Sequence, residues 1–281
     1  MVSIITINYK TADYVERMLE SLFAHGTGCD FEVFVVENGS GQDLSKLEER
    51  FPTVKFIYSK TNRGFAGGCN LAIEQAKGDY LLLVNPDIQF VDNAVCQIEA
   101  HMERDTEVGV GGIRLTNLDG SQQECVWRFP TPWNQLVILF KLHHVFPNLR
   151  TYQLWKMRDF DYGQTADVDQ VMGAFFCIRR KTIEQIGPLD QEFFLWYEEV
   201  DFCRRAVNAG WKVRYYADVT AQHKGGSSFD RVATLKKQAI LRKSLRRYMT
   251  KHFGKGWGTF FTIMDPVFTV FGAIASVFKP I

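Results

Sequence analysis

The C-terminal part of the chain almost lacks acidic side chains. Residues 231–281 contain ten lysines and arginines and one acid, Asp265, so this segment has a formal charge of +9. Because the whole chain carries +1, residues 1–230 carry −8. A basic end on an acidic body is typical of a protein that meets a polyanionic partner, either a membrane surface or nucleic acid. The acidic body opposes nucleic acid, so we expect none.

The sequence also lacks paired cysteines and an export signal. None of its six cysteines belongs to a CxxC motif, which disfavours a disulfide framework or a zinc site. Met1 is followed directly by a strand-like segment, whereas export signals begin with a charged and then an apolar region. We therefore expect reduced cysteines and a cytoplasmic location.

No apolar run is long enough to span a bilayer. The longest uncharged stretch near the C-terminus, residues 267–278, has about 12 residues, whereas a helical span needs about 20. The preceding helix has a basic face, which comprises Lys236, Lys237, Lys243, Arg247, Lys251 and Lys255. Arg242 and Arg246 interrupt its apolar face. We expect residues 231–281 to lie at the inner face of the cell membrane, with packing against the body and a homodimer interface as the alternative.

The first 104 residues alternate between short apolar strands and helices. Predicted strands cover 2–9, 31–38, 54–59 and 79–85, and predicted helices cover 13–26, 42–51, 70–76 and 93–104. Asp13 and Glu16 have the spacing of a capping box at the first helix. This order predicts an α/β fold, a Rossmann-like, mostly parallel sheet flanked by helices, with ligands at the carboxyl ends of the strands.

The second half of the chain is less regular. It contains a predicted hairpin at 117–121, strands at 167–180 and 211–223, and a helix at 198–208, while the aromatic segment 126–150 has no assignable period. We predict one domain over residues 1–230, with a nucleotide-binding half (1–115) and an acceptor half (116–230). Residues 231–281 form the tail.

Polar residues follow the apolar strands at one predicted edge of the sheet. They are Thr6, Asn8, Tyr9, Glu37, Asn38, Ser40 and the segment Asn85-Pro86-Asp87. Alone, the last segment is ordinary turn chemistry. The glycine-rich segment 62–70 is either a flexible loop before a helix or a place where backbone approaches a ligand, with Arg63 as a cation for a diphosphate.

Two further groups of residues suggest a general base and a metal site. Glu198, Glu199 and Asp201 begin a predicted helix among aromatic residues, which can raise a carboxyl pKa and so create a general base. Acids at a helix N-terminus are also explained by the helix dipole. His223 ends a strand, and a lone histidine is more often structural, but paired with Asp87 it would suit Mg²⁺ or Mn²⁺.

Together these segments resemble the inverting glycosyltransferases of family 2, which have a GT-A fold, and within them the bacterial rhamnosyltransferase-like branch. The resemblance covers residues 1 to about 230 in the order VSIITINYKTADYVERMLESL, VVENGS, NRGFAGGCN, LLLVNPD, VMGAFFCIRR, FFLWYEEVDFCRRAVNAGW and HKGGSS. It implies transfer of a sugar from a nucleotide diphosphate donor to a glycan or polyprenyl-diphosphate-linked acceptor in cell-surface glycan synthesis. It favours dTDP-rhamnose as donor, with a UDP-hexose or UDP-galactofuranose as alternative.

The resemblance also implies residue roles. Asp87 takes the place of the last Asp of the family's Asp-x-Asp motif and, with His223, would hold the metal. Asn85 departs from the usual Asp. Glu199 matches the catalytic base, with Glu198 in reserve because relatives usually have Asp at the second position. The donor-binding set would be Thr6, Asn8, Tyr9, Glu37, Asn38, Ser40, Asn62, Arg63, Gly64, Gly67, Asn70, Asn85 and Gly173, with Glu37 near the nucleobase.

The sequence lacks the motifs that two other enzyme classes would require. A nucleotidyltransferase would carry a glycine-rich basic loop after the first strand, where this chain has NYKTADY. A processive synthase would show a Gln-x-x-Arg-Trp motif and membrane spans. A non-catalytic nucleotide-sugar-binding or membrane-surface protein could keep the fold but would not need Asp87, Glu199 and His223.

Overall fold

The computed structural model describes residues 1–26, 28–225 and 234–277. Its strands are β1 (Val2–Asn8), β2 (Phe31–Asn38), β3 (Lys55–Ser59), β4 (Tyr80–Val84), β5 (Ile88–Phe90), β6 (Val108–Thr116), β7 (Val126–Trp127), β8 (Ala166–Asp167), β9 (Gln170–Val171), β10 (Phe175–Arg179) and β11 (Lys212–His223). Its helices are α1 (Ala12–His25), α2 (Ser45–Arg50), α3 (Gly64–Ile73), α4 (Ala94–Arg104), α5 (Pro132–Leu139), α6 (Leu142–Val145), α7 (Arg150–Lys156), α8 (Arg180–Ile186), α9 (Glu198–Asn208), α10 (Thr234–Phe253), α11 (Lys255–Ile263) and α12 (Asp265–Val277).

A nine-stranded sheet organises the described residues. Its order is β3-β2-β1-β4-β10-β6-β11-β5, and β8 pairs with β11. The first four strands run parallel, as predicted, whereas β10 is antiparallel to both of its neighbours. The predicted α/β fold with a central sheet flanked by helices is therefore confirmed, and its second half is mixed rather than parallel.

Burial explains why these segments form these elements. Every residue of β1 is buried, because helices cover both faces of a central strand. Helix α1 buries Val15, Met18, Leu19 and Leu22, which have the spacing of one helical face. The carboxyl ends of β1, β2 and β4 consequently meet at one edge of the sheet.

The C-terminal helices pack against the body in a second apolar core. Leu245, Tyr248 and Met249 of α10 are buried with Phe193 and Tyr197, and Phe261 and Phe268 join the same cluster. This is the alternative that the sequence left open for this helix. None of the helices in the described ranges combines the length and hydropathy that a membrane span requires.

The arginines on the apolar face of α10 form ion pairs with the aspartate that interrupts the apolar C-terminal segment. Arg242 and Arg246, which interrupt the apolar face of α10, both donate to Oδ1 of Asp265, at 2.8 and 2.6 Å. Asp265 begins α12, so these ion pairs hold α12 onto α10. Lys251 and Arg247 bind Asp190, so part of the basic face is neutralised within the chain. The end of the predicted apolar stretch, residues 278–281, lies outside the described residues.

The predicted capping box is wrong. The residue before α1 is Thr11, which makes no side-chain cap, and Glu16 pairs with Arg50 of α2 instead. Because α1 begins at Ala12, Asp13 lies inside the first turn and cannot serve as the N-cap residue.

Helix α3 begins at Gly64 rather than Asn70, so most of the predicted glycine-rich loop is helical. Glycine is a poor helix former, but here it allows close packing. A Cβ at Gly64, whose φ is +72°, would lie 2.1 Å from the carbonyl oxygen of Phe194. The glycines therefore seat α3 against the segment that precedes α9.

The expectation of six reduced cysteines is also wrong. Cys29 and Cys96 form a disulfide with a Cα separation of 5.5 Å, while Cys69, Cys125, Cys177 and Cys203 are free and buried. The two partners are 67 residues apart, so a search for local pairs could not find them.

The irregular second half was predicted in part. The turn at 117–121 is confirmed by the bridge between Thr116 and Gln122. The single strand predicted at 167–180 is divided into β8, β9 and β10. The segment 126–150, which had no clear period, forms β7, α5 and α6.

Candidate active site

Asp87 and His223 meet at the edge of the sheet, which confirms their predicted proximity. Asp87 directly precedes β5, and His223 ends β11. These two strands are antiparallel, with His223 opposite Ile88, so the register itself places the two side chains together. Nε2 of His223 lies 3.3 Å from Oδ1 of Asp87, and both side chains are more than nine-tenths buried.

Gln123 orients the imidazole of His223. Oε1 of Gln123 lies 2.7 Å from Nδ1 of His223, and Nε2 of the same amide donates to Asn117 at 3.1 Å. Because the amide nitrogen is used by Asn117, the oxygen faces the ring and Nδ1 is the donor. The lone pair of Nε2 then points toward Asp87. Sequence reasoning missed Gln123, whose only signal was its position after the predicted hairpin.

This pair fits a divalent cation. Nε2 of His223 is buried without a hydrogen-bond partner, which is costly unless the lone pair has another use. No group of three or more histidine, cysteine or acidic residues in the described ranges could hold a metal by itself. A cation bound by two protein groups and completed by substrate phosphates and water is typical of Mg²⁺ sites.

Glu198 and Glu199 begin α9 after a constrained turn. Trp196 and Tyr197 have φ angles of +61° and +72°, a region that bulky residues rarely adopt. The hydroxyl of Tyr197 donates to Oε1 of Gln135 in α5 at 3.0 Å, which helps to hold this turn. The helix therefore starts at a fixed point, and its first two side chains are acids.

The three acids of this helix differ in their surroundings. Burial raises the pKa of Glu199, and burial together with the charge of Glu199 raises the pKa of Glu198. Burial would also raise the pKa of Asp201, but hydrogen bonds from His252 and Lys251 and the charge of Arg205 lower it to about 2. Asp201 is thus a structural ion-pair partner, whereas the two glutamates have the raised pKa that a general base needs.

Gly173 connects the glutamates to the end of β4. A Cβ at Gly173 would lie 3.5 Å from Cγ of Glu199, which is an ordinary van der Waals distance, so the side chain of Glu199 packs directly over this residue. The next residue, Ala174, accepts a hydrogen bond from the backbone N–H of Asn85 at 2.9 Å. Glu199 is therefore connected through Gly173 and Ala174 to Asn85, which lies two residues before Asp87.

The predicted residues on β2 and α3 form a turn network. Asn38 accepts from the backbone N–H of Arg63 at 3.0 Å and donates to the carbonyl of Gly64 at 2.9 Å. It also donates to Asn62, whose side chain accepts from the N–H of Gly64. These contacts fix the backbone at the start of α3, and the side chain of Arg63 is exposed.

The remaining predicted donor contacts fall into two groups. Some already have internal partners: Glu37 accepts from the backbone N–H groups of Gly39 and Ser40, Asn8 accepts from Thr11, and the amide nitrogen of Asn70 donates to Leu189. Others keep polar capacity: Oγ1 of Thr6 and Oδ1 of Asn70 are buried without a hydrogen-bond partner, and Tyr9 is 38% exposed. Gly67 is buried on α3 against Arg63.

Two known proteins are similar to this chain in sequence. The chain is 27% identical over 208 residues to a low-salt glycan biosynthesis hexosyltransferase of Haloferax volcanii. The matched region covers 73% of this chain and 61% of that protein. It is 22% identical over 236 residues to an N-acetylglucosaminyl-diphospho-decaprenol L-rhamnosyltransferase of Mycobacterium tuberculosis, covering 78% of this chain and 75% of that protein.

Solved structures give the same fold. A mannosyltransferase from Pyrobaculum calidifontis, in complex with GDP-Man and Mn²⁺, matches with a TM-score of 0.58 at 14% identity, covering 100% of this chain and 76% of that one. The family model for glycosyl transferase family 2 matches residues 3–163, more than half of the chain. With β1 to β4 and the Asn85-Pro86-Asp87 strand end inside the matched region, the chain belongs to glycosyl transferase family 2.

Proposed function

We propose that this protein is an inverting, metal-dependent glycosyltransferase that moves a sugar from a nucleotide diphosphate donor to an acceptor hydroxyl. The proposal rests on the contacts that connect Glu199 through Gly173 and Ala174 to Asn85, two residues before the Asp87 that pairs with His223. The Asp87 and His223 pair suits a cation that binds a diphosphate, and Glu199 suits a base. A single displacement at the anomeric carbon requires both.

Glu199 is the proposed catalytic base and Glu198 the reserve. As the acceptor hydroxyl attacks, its proton passes to the Glu199 carboxylate on the face opposite the departing diphosphate. No covalent intermediate is needed, and the four free cysteines are buried, so none is offered to solvent as a nucleophile. Attack from one face by one nucleophile gives inversion.

Asp87 and His223 would hold Mg²⁺ or Mn²⁺. Such a cation would offset the negative charge that develops on the leaving diphosphate. Arg63, at the start of α3, is exposed and is proposed to contact the same diphosphate. The residues at the ends of β1 and β2, with Glu37 nearest the nucleobase, are proposed to line the remainder of the donor crevice.

For the substrates we propose L-rhamnose from dTDP-rhamnose and a lipid-linked acceptor in cell-surface glycan synthesis. The mycobacterial relative, by its name, transfers L-rhamnose to a diphospho-decaprenol acceptor, which supports both choices. A UDP-hexose or UDP-galactofuranose donor is the alternative. We further propose that the protein works at the inner face of the cytoplasmic membrane, where a lipid-linked acceptor lies.

A thermal-shift screen of nucleotide sugars with and without Mn²⁺ tests this function. We expect one donor to raise the melting temperature only when Mn²⁺ is present, and Asp87→Ala to abolish that rise. Glu199→Gln should keep the rise and lose transfer of labelled sugar to lipid in membranes from the source organism. A donor shift that does not depend on Mn²⁺, or an Asp87→Ala variant that keeps it, would contradict the metal site.

A further inference from the structure

An apolar groove lies between α5 and α11, outside the site described above. Its volume is about 440 Å³, which falls in the range of small-molecule pockets. It is lined by Trp133, Leu136, Phe253, Gly256, Trp257 and Phe260. No charged side chain belongs to this lining, so the groove suits a hydrocarbon rather than a sugar or a nucleotide.

The helices beside the groove are apolar on two sides. Phe261 and Phe268 point into the second core. A second row is exposed by between 38% and 70%, namely Phe260, Ile263, Val267, Val270 and Phe271. A helix with apolar residues on both sides requires an apolar environment on both. Asp265 is the one charged residue from Gly256 to Val277, and it pairs with two arginines of α10.

Helix α5 connects the groove to the proposed base. Gln135 on this helix binds Tyr197, which directly precedes Glu198. Trp133 and Leu136 on the same helix line the groove. Helix α5 therefore contacts both the groove and the turn that precedes the acids. A ligand bound at the acids could therefore extend its other end into the groove.

Two cations flank the groove. The guanidinium of Arg204 lies 4.6 Å from the ring centroid of Phe253 and 5.6 Å from that of Phe129, and it donates to the hydroxyl of Tyr248 at 3.0 Å. In the described part of the chain its partners are therefore rings and a hydroxyl rather than a carboxylate. Lys255, exposed at the start of α11, adjoins Gly256. Cations at the edge of an apolar groove complement a phosphate joined to a hydrocarbon chain.

We propose that this groove binds the isoprenoid chain of a diphosphate-linked acceptor, with the diphosphate at Arg204 and Lys255 and the exposed apolar row of α11 and α12 in the lipid. The inference rests on the proposed function and assigns its acceptor a binding site. The acceptor sugar would then reach Glu199 around α5, while the donor occupies the opposite crevice at Asp87.

Gly256 offers a direct test. A Cβ at this position meets no atom within 4 Å, and its φ is not in the left-handed region, so Gly256→Leu should fill the groove without disturbing the fold. The probes are geranylgeranyl diphosphate, below its micelle concentration, and inorganic pyrophosphate, both titrated calorimetrically in EDTA. We expect the wild type to bind the prenyl compound at least tenfold more tightly than pyrophosphate, and Gly256→Leu to reduce this ratio to about one.

Matched variants separate the chain from the headgroup. Trp133→Ala, which removes a groove wall, should lower the same ratio, whereas Tyr58→Ala, which removes an exposed aromatic side chain on β3, should not. Arg204→Gln should weaken both ligands. Melting temperatures and the Mn²⁺-dependent donor shift should stay at wild-type values in Gly256→Leu.

Three results would overturn the inference. They are equal affinity for the two probes in the wild type, an unchanged ratio in Gly256→Leu, and light scattering that shows a dimer dissociated by Gly256→Leu with no prenyl preference. The last result would make the groove an interface between two copies. The titration needs neither donor nor turnover. It can therefore fail while the donor screen succeeds, and it can succeed while the donor screen fails.

Discussion

The imidazole of His223 and the carboxylate of Asp87 approach within 3.3 Å although they are far apart in the chain. Their meeting depends on the antiparallel pairing of β5 with β11. A shift of one residue in that register would turn His223 to the other face of the sheet. The proposed metal site is therefore a product of strand register.

Gln123→Leu should weaken Mn²⁺ binding by about 10- to 100-fold, because partners that orient a ligating histidine contribute on this scale. The measurement is Mn²⁺ binding by electron paramagnetic resonance, in the absence of donor. Gln123→Glu keeps an acceptor for Nδ1 and should retain most of the affinity. Gln122→Leu is the control, since the side chain of Gln122 binds Arg114 and the backbone carbonyls of Leu115 and Gln123 rather than His223. Unchanged affinity in Gln123→Leu would show that the imidazole needs no such partner.

Glu199→Gln should lower kcat by about 10²- to 10⁴-fold, the usual contribution of a general base. Burial raises the pKa of this carboxyl above its ordinary value of 4.5, and the base must be ionised to act. The kcat/KM of the wild type should therefore fall as the pH decreases through a value above 4.5. If Glu199→Gln turns over normally and Glu198→Gln does not, Glu198 is the base.

Glu198→Gln should stabilise the protein at alkaline pH. The pKa of Glu198 is raised by burial and by Glu199, so the folded state favours the protonated acid. Its contribution to stability is full below the ordinary value of 4.5 and is lost as the pH rises through the folded pKa. The gain in melting temperature should thus be larger at pH 8 than at pH 4.5. A constant difference would contradict this, and the exposed Glu192→Gln is the control.

Asp201→Asn should lower the free energy of unfolding by about 3 kcal/mol at pH 7, because it leaves Arg205, Lys251 and His252 without their shared anion. The folded pKa of about 2 lies below the ordinary 3.8, so this stability is present above pH 3.8 and lost as the pH falls toward 2. Urea unfolding at several pH values measures it. Asp218→Asn, with a side chain 64% exposed, should change stability by less than about 0.5 kcal/mol. An equal loss at pH 2 would refute the ion-pair explanation.

Cys29→Ser should lower the free energy of unfolding by about 4 kcal/mol under oxidising conditions, since the disulfide with Cys96 closes a loop of 67 residues. Dithiothreitol should lower the stability of the wild type to the same level. A thiol titration of the denatured, unreduced protein should find four free thiols, and finding all six would contradict the disulfide.

The elements that depend on local pattern were predictable. Continuous apolar segments gave β1, β2 and β4, since a strand covered on both faces must be apolar throughout. The alternation with helices gave the parallel first half, and with it the shared edge for Asn85 and Asp87. The start of α9 at Glu198 also followed from local pattern.

Features that depend on a competing partner were not predictable. Glu16 pairs with Arg50 of α2 rather than with the backbone at the start of α1, and Gly64 begins α3 in close contact with Phe194. Arg242 and Arg246 interrupt the apolar face of α10, and the sequence pattern did not show that Asp265 is their partner. In each case the deciding partner lies far along the chain or in another element.

The sequence by itself determined the alternating architecture, the strand ends that carry polar side chains and the acids that begin α9. These follow from periodicity and local turn chemistry, which act within a few residues. Only the tertiary structure decided that His223 faces Asp87 while Gln123 holds its ring, that Glu199 packs over Gly173, and that the basic helix is docked on the body. Contacts between distant segments depend on register and packing, which no local pattern encodes.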